Sequence, residues 1–569
     1  MKADSLTGLI AVARGNSPAA LLLKNARVVN VFNATVEKAN VAIYDGRIAG
    51  VGDYTDAQQI IDVGGQFVIP GLINGHTHIE SSLLDIGQYA AAVVPLGTLG
   101  VVTDLHEIAN VSGLDGLRYM LNKVRELPFE FFLMAPSCVP ATPFETSGAV
   151  IDATELKRIR NRRAAIGLGE MMNYPGVLAG DKQVLGKIRD AALIDGHAPT
   201  LTGKDLNAYI AAGITSDHES VTLAEAAEKL ARGMYVMIRE GSSEKNLEAL
   251  LPLVNAENNR RCLLVVDDRS CADLLADGDI NAVLRKAVRL GLDPLRAVQM
   301  GTLNAAERFG LKRVGAVAPG YLANLAVTPD LVEFRMSMVF HRGRLVAQNG
   351  KPLFAPQVTA GGRLTHSVNI RKHTASVFRV KGSGQKMPVI EIVPGQIITR
   401  RAAADIQPDS RGFLHADIAK DLLKLAVVER HHATGNTGLG FVKGFGLKRG
   451  ALASSVAHDS HNIVVLGTND ADMALAVGEI IRLQGGMVAV ENGEIRASLP
   501  LPVAGLLSDK PLGEVSTELE KLETTAHAMG SVIPASFALL SFLALPVIPE
   551  LRLTDRGLFD VTRFKFIDL

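Results

Sequence analysis

The chain has 569 residues, too many for one ordinary core, so two or three domains are expected. Its 59 lysines plus arginines equal its 59 aspartates plus glutamates, and such balance gives no general pull toward nucleic acid or anionic membrane. An apolar share of 47% excludes global disorder, and three cysteines without a CxxC pair, Cys138, Cys262 and Cys271, exclude a disulfide framework and fit a reducing compartment.

Residues 8–13 form a short apolar run closed by Arg14, which lacks the length of a signal-peptide core. Short strands with turns follow at 26–32, 41–44 and 47–51, with Asp45-Gly46 as a hairpin signal. From about residue 66 the texture changes. Eight apolar strand-like runs, at 67–73, 99–103, 130–135, 165–168, 192–195, 213–216, 234–238 and 262–266, alternate with helical stretches. Such runs predict buried parallel strands, and eight of them predict a closed (β/α)8 TIM-type barrel over 66–311. A doubly wound open sheet has the same periodicity. Residues 315–349 return to strands and turns, so 1–65 and 312–360 are expected to form one small composite β-sandwich domain. A further C-terminal α+β domain is expected over 361–569, with a loop at Lys381-Gly-Ser-Gly. The most apolar stretch there, 535–545, lies between Pro534 and Pro546 and is too short to cross a bilayer, so a buried helix is expected. A soluble, cytoplasmic protein with no membrane partner is the resulting expectation.

The residues that end the barrel runs carry the chemistry, because a barrel gathers its active site at the C-terminal ends of its strands. The first run ends in His76, His78 and Glu80, the second in His106 and Glu107, and the fourth in Glu170. The fifth ends in His197, the sixth in His218 and Glu219, and the eighth in Asp267 and Asp268. His76 and His78, two apart in an extended strand, point to one side and reach one divalent cation. Imidazole and carboxylate donors without thiolate suit Zn, Mn or Fe. A carboxylate such as Glu170 bridges two cations, with His197 and His218 completing the second. A bridged pair brings the pKa of bound water toward neutrality, and Asp267 ligates one ion and accepts the water's proton. No single residue carries this reading; the coincidence of five strand ends does.

Longer words narrow the reading. VIPGLINGHTH at 68–78 resembles the first-strand signature of the amidohydrolase superfamily. HIESS at 78–82, TDLHEIAN at 103–110, DGHAP at 195–199, GKDLNAY at 203–209 and SDHE at 216–219 resemble the adenine deaminases. So do HATGN at 432–436, GFVKGFGLKR at 440–449 and AHDSHN at 457–462. The resemblance runs from about Lys24 to the last residue. It implies that His76, His78 and Asp267 hold one ion, that Glu170 bridges, and that His197 and His218 hold the other. It also implies Mn or Fe as the productive metals, adenine as the small-molecule substrate, hypoxanthine and ammonia as products within purine salvage, and a homo-oligomer, a dimer. Two departures stand out: Asn74 and Asn324 occupy positions where the superfamily commonly has an acid. The first is expected to affect support of the histidines, and the second to lie far from the chemistry.

On this reading an activated water attacks C6 of the purine, and Asp267 passes its proton to the departing amine. Protonation of a ring nitrogen falls to Glu80, Glu107 or Glu219, and Asp268 holds substrate or orients a ligand. Additional ligand candidates are His106, Asp268, His458, Asp459 and His461. The last three belong to a polar group with His431 and His432 outside the barrel, which either closes over the substrate, binds an extra metal, or is structural. Lys443, Lys448 and Arg449, interleaved with Phe441 and Phe445, have the look of a nucleic-acid patch, against which the zero net charge argues. The competing functions are a related hydrolase of another heterocycle or cyclic amide, and a non-catalytic barrel scaffold. The zinc cytidine-deaminase plan needs a PCxxC and is absent.

Overall fold

Eight short strands between residues 72 and 268 run parallel and follow one another around a ring in the computed structural model, which describes residues 3–161, 164–356, 362–371, 374–382 and 386–569. Leu72–Asn74 pairs with Thr98–Thr103, then come Glu130–Ala135, Gly167–Met171 and Ile194–Gly196. Ser216–Asp217, Tyr235–Arg239 and Cys262–Val265 form the second arc. Asp267 and Asp268, which extend the eighth strand, pair with Thr77 and His78, which extend the first. The sheet therefore closes as a (β/α)8 barrel rather than an open sheet. Its strands are buried on both faces, which is why they read as continuous apolar runs.

The first run needs a correction. Residues 67–73 are two strands, not one. Phe67–Pro70 pairs with Ala19–Asn30 and Leu325–Thr328, and only Leu72–Asn74 belongs to the barrel. The chain changes sheet at Gly71, where a Cβ would lie 2.7 Å from the Leu99 side chain.

Strands from both flanks of the barrel share one nine-stranded sheet, including Ala19–Asn30, Thr35–Tyr44, Arg47–Gly52, Phe67–Pro70, Leu325–Thr328, Met338–His341 and Arg344–Gln348. It is one curled sheet whose inner residues, among them Leu23, Val41, Ile43, Val68, Leu325 and Phe340, pack on each other. The apolar run at 8–13 belongs to a helix, Ala3–Ala13.

Past the barrel, an eight-stranded sheet carries the helix Asp470–Leu483 on one face and the helices Leu512–Ala528 and Ser536–Phe542 on the other. The boundary expected at 360–361 and Ser383 and Gly384 of the expected loop lie outside the described residues. Among those described, no helix is long and apolar enough to cross a membrane. This C-terminal lobe sits over the barrel mouth. Ser508 bridges Leu84 after the first strand, Asp555 accepts from Thr146 N at 2.9 Å, and Asn462 donates to Thr146 O at 2.8 Å. Phe441 and Phe445 are fully buried, so the basic run offers no exposed ring for a base to stack on.

Glu130, at the start of the third barrel strand, ties the barrel floor to the small sheet. Arg342 donates to both its oxygens at 2.9 Å, His341 lies 3.0 Å away, and Asn324 donates at 3.4 Å. Asn324 is thus at the end of the barrel opposite the ligand-bearing one. Burial alone would raise the Glu130 carboxyl, but His341 and Arg342 hold it at about 2 against an ordinary 4.5. A depressed folded pKa contributes stability above the unfolded value that is lost as pH falls through the folded one. Glu130→Gln is therefore expected to cost roughly 1–2 kcal/mol at neutral pH, a gap that fades from about pH 4.5 toward pH 2. Urea unfolding across pH checks this, and a gap independent of pH contradicts it.

Candidate metal centre

His76 and His78 are both buried where the first strand ends. Each imidazole has a carboxylate behind it. His76 Nδ1 is 3.2 Å from Asp195 Oδ2 at the end of the fifth strand, and His78 Nδ1 is 3.3 Å from Asp104 Oδ1 after the second. The Asp195 carboxylate on Nδ1 fixes the His76 ring and leaves its Nε2 free to ligate, whereas His78 Nδ1 forms no hydrogen bond among the described residues. Asp104 and Asp195 lie in words the sequence had already marked, but their role shows only once strands two and five lie behind the histidines of strand one.

Glu170, at the end of the fourth strand, divides the donors. Its Oε1 is 3.4 Å from His78 Nε2 and 3.6 Å from His106 Nδ1. Its Oε2 is 2.8 Å from His197 Nδ1 and 3.1 Å from His218 Nε2. Burial alone would raise this carboxyl, and hydrogen bonds from His197 and His218 bring it well below the carboxylate range instead. His218 stacks on His76, with ring centroids 4.0 Å apart, so the two halves of the site touch.

Asp267 has φ 65°, a left-handed backbone that a non-glycine residue adopts only when its surroundings enforce it. Here Asp267 N donates to His76 O and Thr77 Oγ1 donates to Asp267 O, both at 3.0 Å. The turn aims Asp267 Oδ1 to within 3.3 Å of His78 Nε2 and 3.7 Å of His76 Nε2. Arg239 Nη1 takes the other oxygen at 2.8 Å. Against the cost of burial, His78 and Arg239 keep Asp267 ionised. Arg239 ends the seventh run and was not singled out in the sequence. Asn74 accepts from Val266 N at 3.2 Å and donates to Asp279 at 3.4 Å, bracing the first strand against the eighth.

The three glutamates expected near a substrate differ sharply. Glu219 is gripped by two nitrogens of Arg239. Glu107 is held on both oxygens by His458 Nδ1 and His461 Nε2 of the C-terminal lobe, with His106 Nε2 3.5 Å away. Burial would raise Glu107, but these histidines hold it well below the carboxylate range. Glu80 accepts from Ile108 N at 3.2 Å through one oxygen, and its buried Oε2 has no hydrogen-bond partner among the described residues. Burial, then the nearby Glu107, pushes Glu80 up to about 7.

The outer candidates also separate. Ala457 N donates to His461 Nδ1 at 3.1 Å and His461 Nε2 bonds Glu107, so Glu107, His458 and His461 form a further group close enough to share an ion. Asp268 accepts from Ser81 Oγ. Asp459 is buried with Oδ2 unpartnered, and burial together with Glu107 raises it to about 6. His431 and His432 bond Ser460 O and Ser147 O at 2.7 and 2.9 Å, a loop-holding role.

Divalent cations fit this cluster. His76 Nε2 and His218 Nδ1 are buried without a hydrogen-bond partner among the described residues, a costly state for a polar atom. The four buried carboxylates of Asp104, Glu170, Asp195 and Asp267 outnumber the two guanidiniums acting on them among the described residues, Arg239 on Asp267 and Arg308 on Asp195. Buried negative charge in such excess calls for cations. Four-donor and three-donor groups from this set lie close enough to share ions: His78, Asp104, His106 and Glu170; His76, His218 and Asp267; Glu170, His197 and His218.

Comparison with known proteins agrees. Residues 67–346 match the amidohydrolase family, and residues 396–565 match the adenine deaminase C-terminal domain. The chain is 57% identical to adenine deaminase from Dehalococcoides mccartyi (strain CBDB1), over 99% of each chain. It is 47% identical to adenine deaminase 2 from Carboxydothermus hydrogenoformans, over 98% of each, and 47% identical to adenine deaminase from Methanothrix thermoacetophila, over 99% of each. Identity at this level from end to end means that the chain belongs to the adenine deaminase family.

Proposed function

We propose that this protein hydrolyses adenine to hypoxanthine and ammonia, a step of purine salvage, with two divalent cations held at the barrel mouth. The observation that carries the proposal is Glu170, whose two oxygens face separate histidine sets. His76, His78 and Asp267 would hold one ion, and His197 and His218 the other, with Glu170 shared. Mn or Fe suits these nitrogen and oxygen donors, and Zn is also admitted. When bound, such a pair supplies Lewis acidity that brings water toward ionisation at neutral pH.

The chain's own groups manage the protons. Asp267, kept ionised by Arg239, takes a proton from the attacking water and delivers it to the amine leaving C6. Glu80 donates to a ring nitrogen, which makes C6 more electrophilic, and is reprotonated by the water's second proton, released when C6 becomes a carbonyl. Of the three glutamates it alone combines a raised carboxyl with an unpartnered oxygen. Glu107 and Glu219 are committed to histidines and to Arg239, so they serve as supports rather than acids.

Purified protein loaded with manganese is expected to release one ammonia per adenine, with the ultraviolet spectrum moving to that of hypoxanthine. Ring opening of a cyclic amide with no action on adenine contradicts the reading. Glu80→Gln is expected to lower kcat by about 10²- to 10³-fold, the range of general-acid catalysis, while bound metal stays at the wild-type level. Asp267→Asn should abolish turnover in a folded protein; full turnover in that variant refutes its proton-transfer role.

A further inference from the structure

Seven of the eight seams between neighbouring barrel strands are joined by backbone pairing. The seam between Ile194–Gly196 and Ser216–Asp217 is not: among the described residues no backbone-to-backbone hydrogen bond crosses it. The two strands nonetheless lie very close, because a Cβ at Gly196 would be 2.1 Å from Ser216 O. Side chains do the joining. Arg308 Nη2 donates to Ile194 O at 2.9 Å and to Ser216 Oγ at 2.6 Å. Nearer the mouth stands Lys229, on the helix Leu223–Ala231 and fully buried.

The ammonium of Lys229 donates to Ala198 O, Asp217 Oδ2 and Glu225 Oε1, each at 2.8 Å, which uses all three of its protons. Asp217 Oδ1 in turn accepts from Ala198 N at 2.9 Å. Ala198 follows His197 and Asp217 precedes His218. The clamp therefore spans the seam immediately behind these two histidines. By contrast, His76, His78 and Asp267 stand on the first and eighth strands, whose seam has its own ladder. The one support of theirs on the fifth strand, Asp195 behind His76, is held by Ser216 Oγ at the level of Arg308 rather than by Lys229.

We propose that Lys229 is a positioning residue for one cation of the pair, the one shared by Glu170, His197 and His218. It keeps the two histidines in register across a seam with no backbone ladder, and so sets the affinity of that ion while leaving the other nearly untouched. The inference rests on the two-cation reading above. Ligand supports of this kind commonly govern affinity, since a ligand must be held within about 0.5 Å of its productive place.

The test is a titration of metal-stripped full-length protein with Mn2+ alone, following free Mn2+ by electron paramagnetic resonance. Wild-type protein is expected to bind two ions. In Lys229→Met the ion of the His197 and His218 side should weaken about 10- to 100-fold, and the other should stay within about threefold. A general loss of stability would weaken both together, so the ratio of the two affinities is the readout. If Lys229→Met does not yield folded protein, Asp217→Asn reads the same ratio, because it keeps the amino group and its Ala198 contact. Two ions held with the wild-type ratio in a folded variant, or both weakened equally, overturn the inference. A wild type that never binds two ions overturns the site reading instead.

Discussion

A single buried carboxylate organises the mouth of this barrel. Glu170 stands at the end of the fourth strand with His78 on one oxygen and with His197 and His218 on the other. Taking a carboxylate out of water is expensive, and among the described residues no guanidinium pairs with Glu170, Arg239 going to Glu219 and Asp267 instead. What keeps it ionised is the ring of imidazoles around it. Further carboxylates stand behind the histidines of the rim: Asp195 bonds His76, and Asp104 bonds His106 and lies 3.3 Å from His78. The site is built in alternating layers of acid and imidazole, and its excess of buried negative charge is what makes divalent cations its natural occupants.

The scaffold explains how residues 76 to 267 come to share one point. A closed parallel barrel delivers the end of every strand to one rim. Between the first and eighth strands a short backbone pairing of Thr77 and His78 with Asp267 and Asp268 joins the rim, with Asn74 bracing it. Where such pairing is missing, between the fifth and sixth, buried Lys229 and Arg308 take its place. The C-terminal lobe completes the rim from outside. His458 and His461 hold Glu107, Glu107 stands beside His106, and His106 shares Asp104 with His78. A continuous chain of polar contacts thus links the added lobe to the strand end that carries His76 and His78.

Much of this was legible in the sequence, for a physical reason. Barrel strands are short apolar runs, and the polar residue that ends each run must lie at the rim, so His76, His78, Glu170, His197, His218 and Asp267 could be named without coordinates. What stayed hidden depends on neighbours distant in the chain. The run 67–73 is uniformly apolar, and nothing in its composition marks Gly71 as the point where it leaves one sheet for another. Glu80, Glu107 and Glu219 looked equivalent, because their differences come from Ile108, from two histidines some 350 positions away and from Arg239. Lys229 looks like an ordinary surface cation in a one-dimensional reading, and Arg239 marks the end of the seventh run without showing which carboxylates it holds, yet both are buried.

The division of donors by Glu170 is open to direct observation. Anomalous diffraction at the manganese edge, from crystals of the Mn-loaded full-length protein, locates every ion without reference to activity. The account predicts two peaks flanking the Glu170 carboxylate, one against His76, His78 and Asp267 and one against His197 and His218. A single peak, or ions that leave Glu170 uncoordinated, would contradict it.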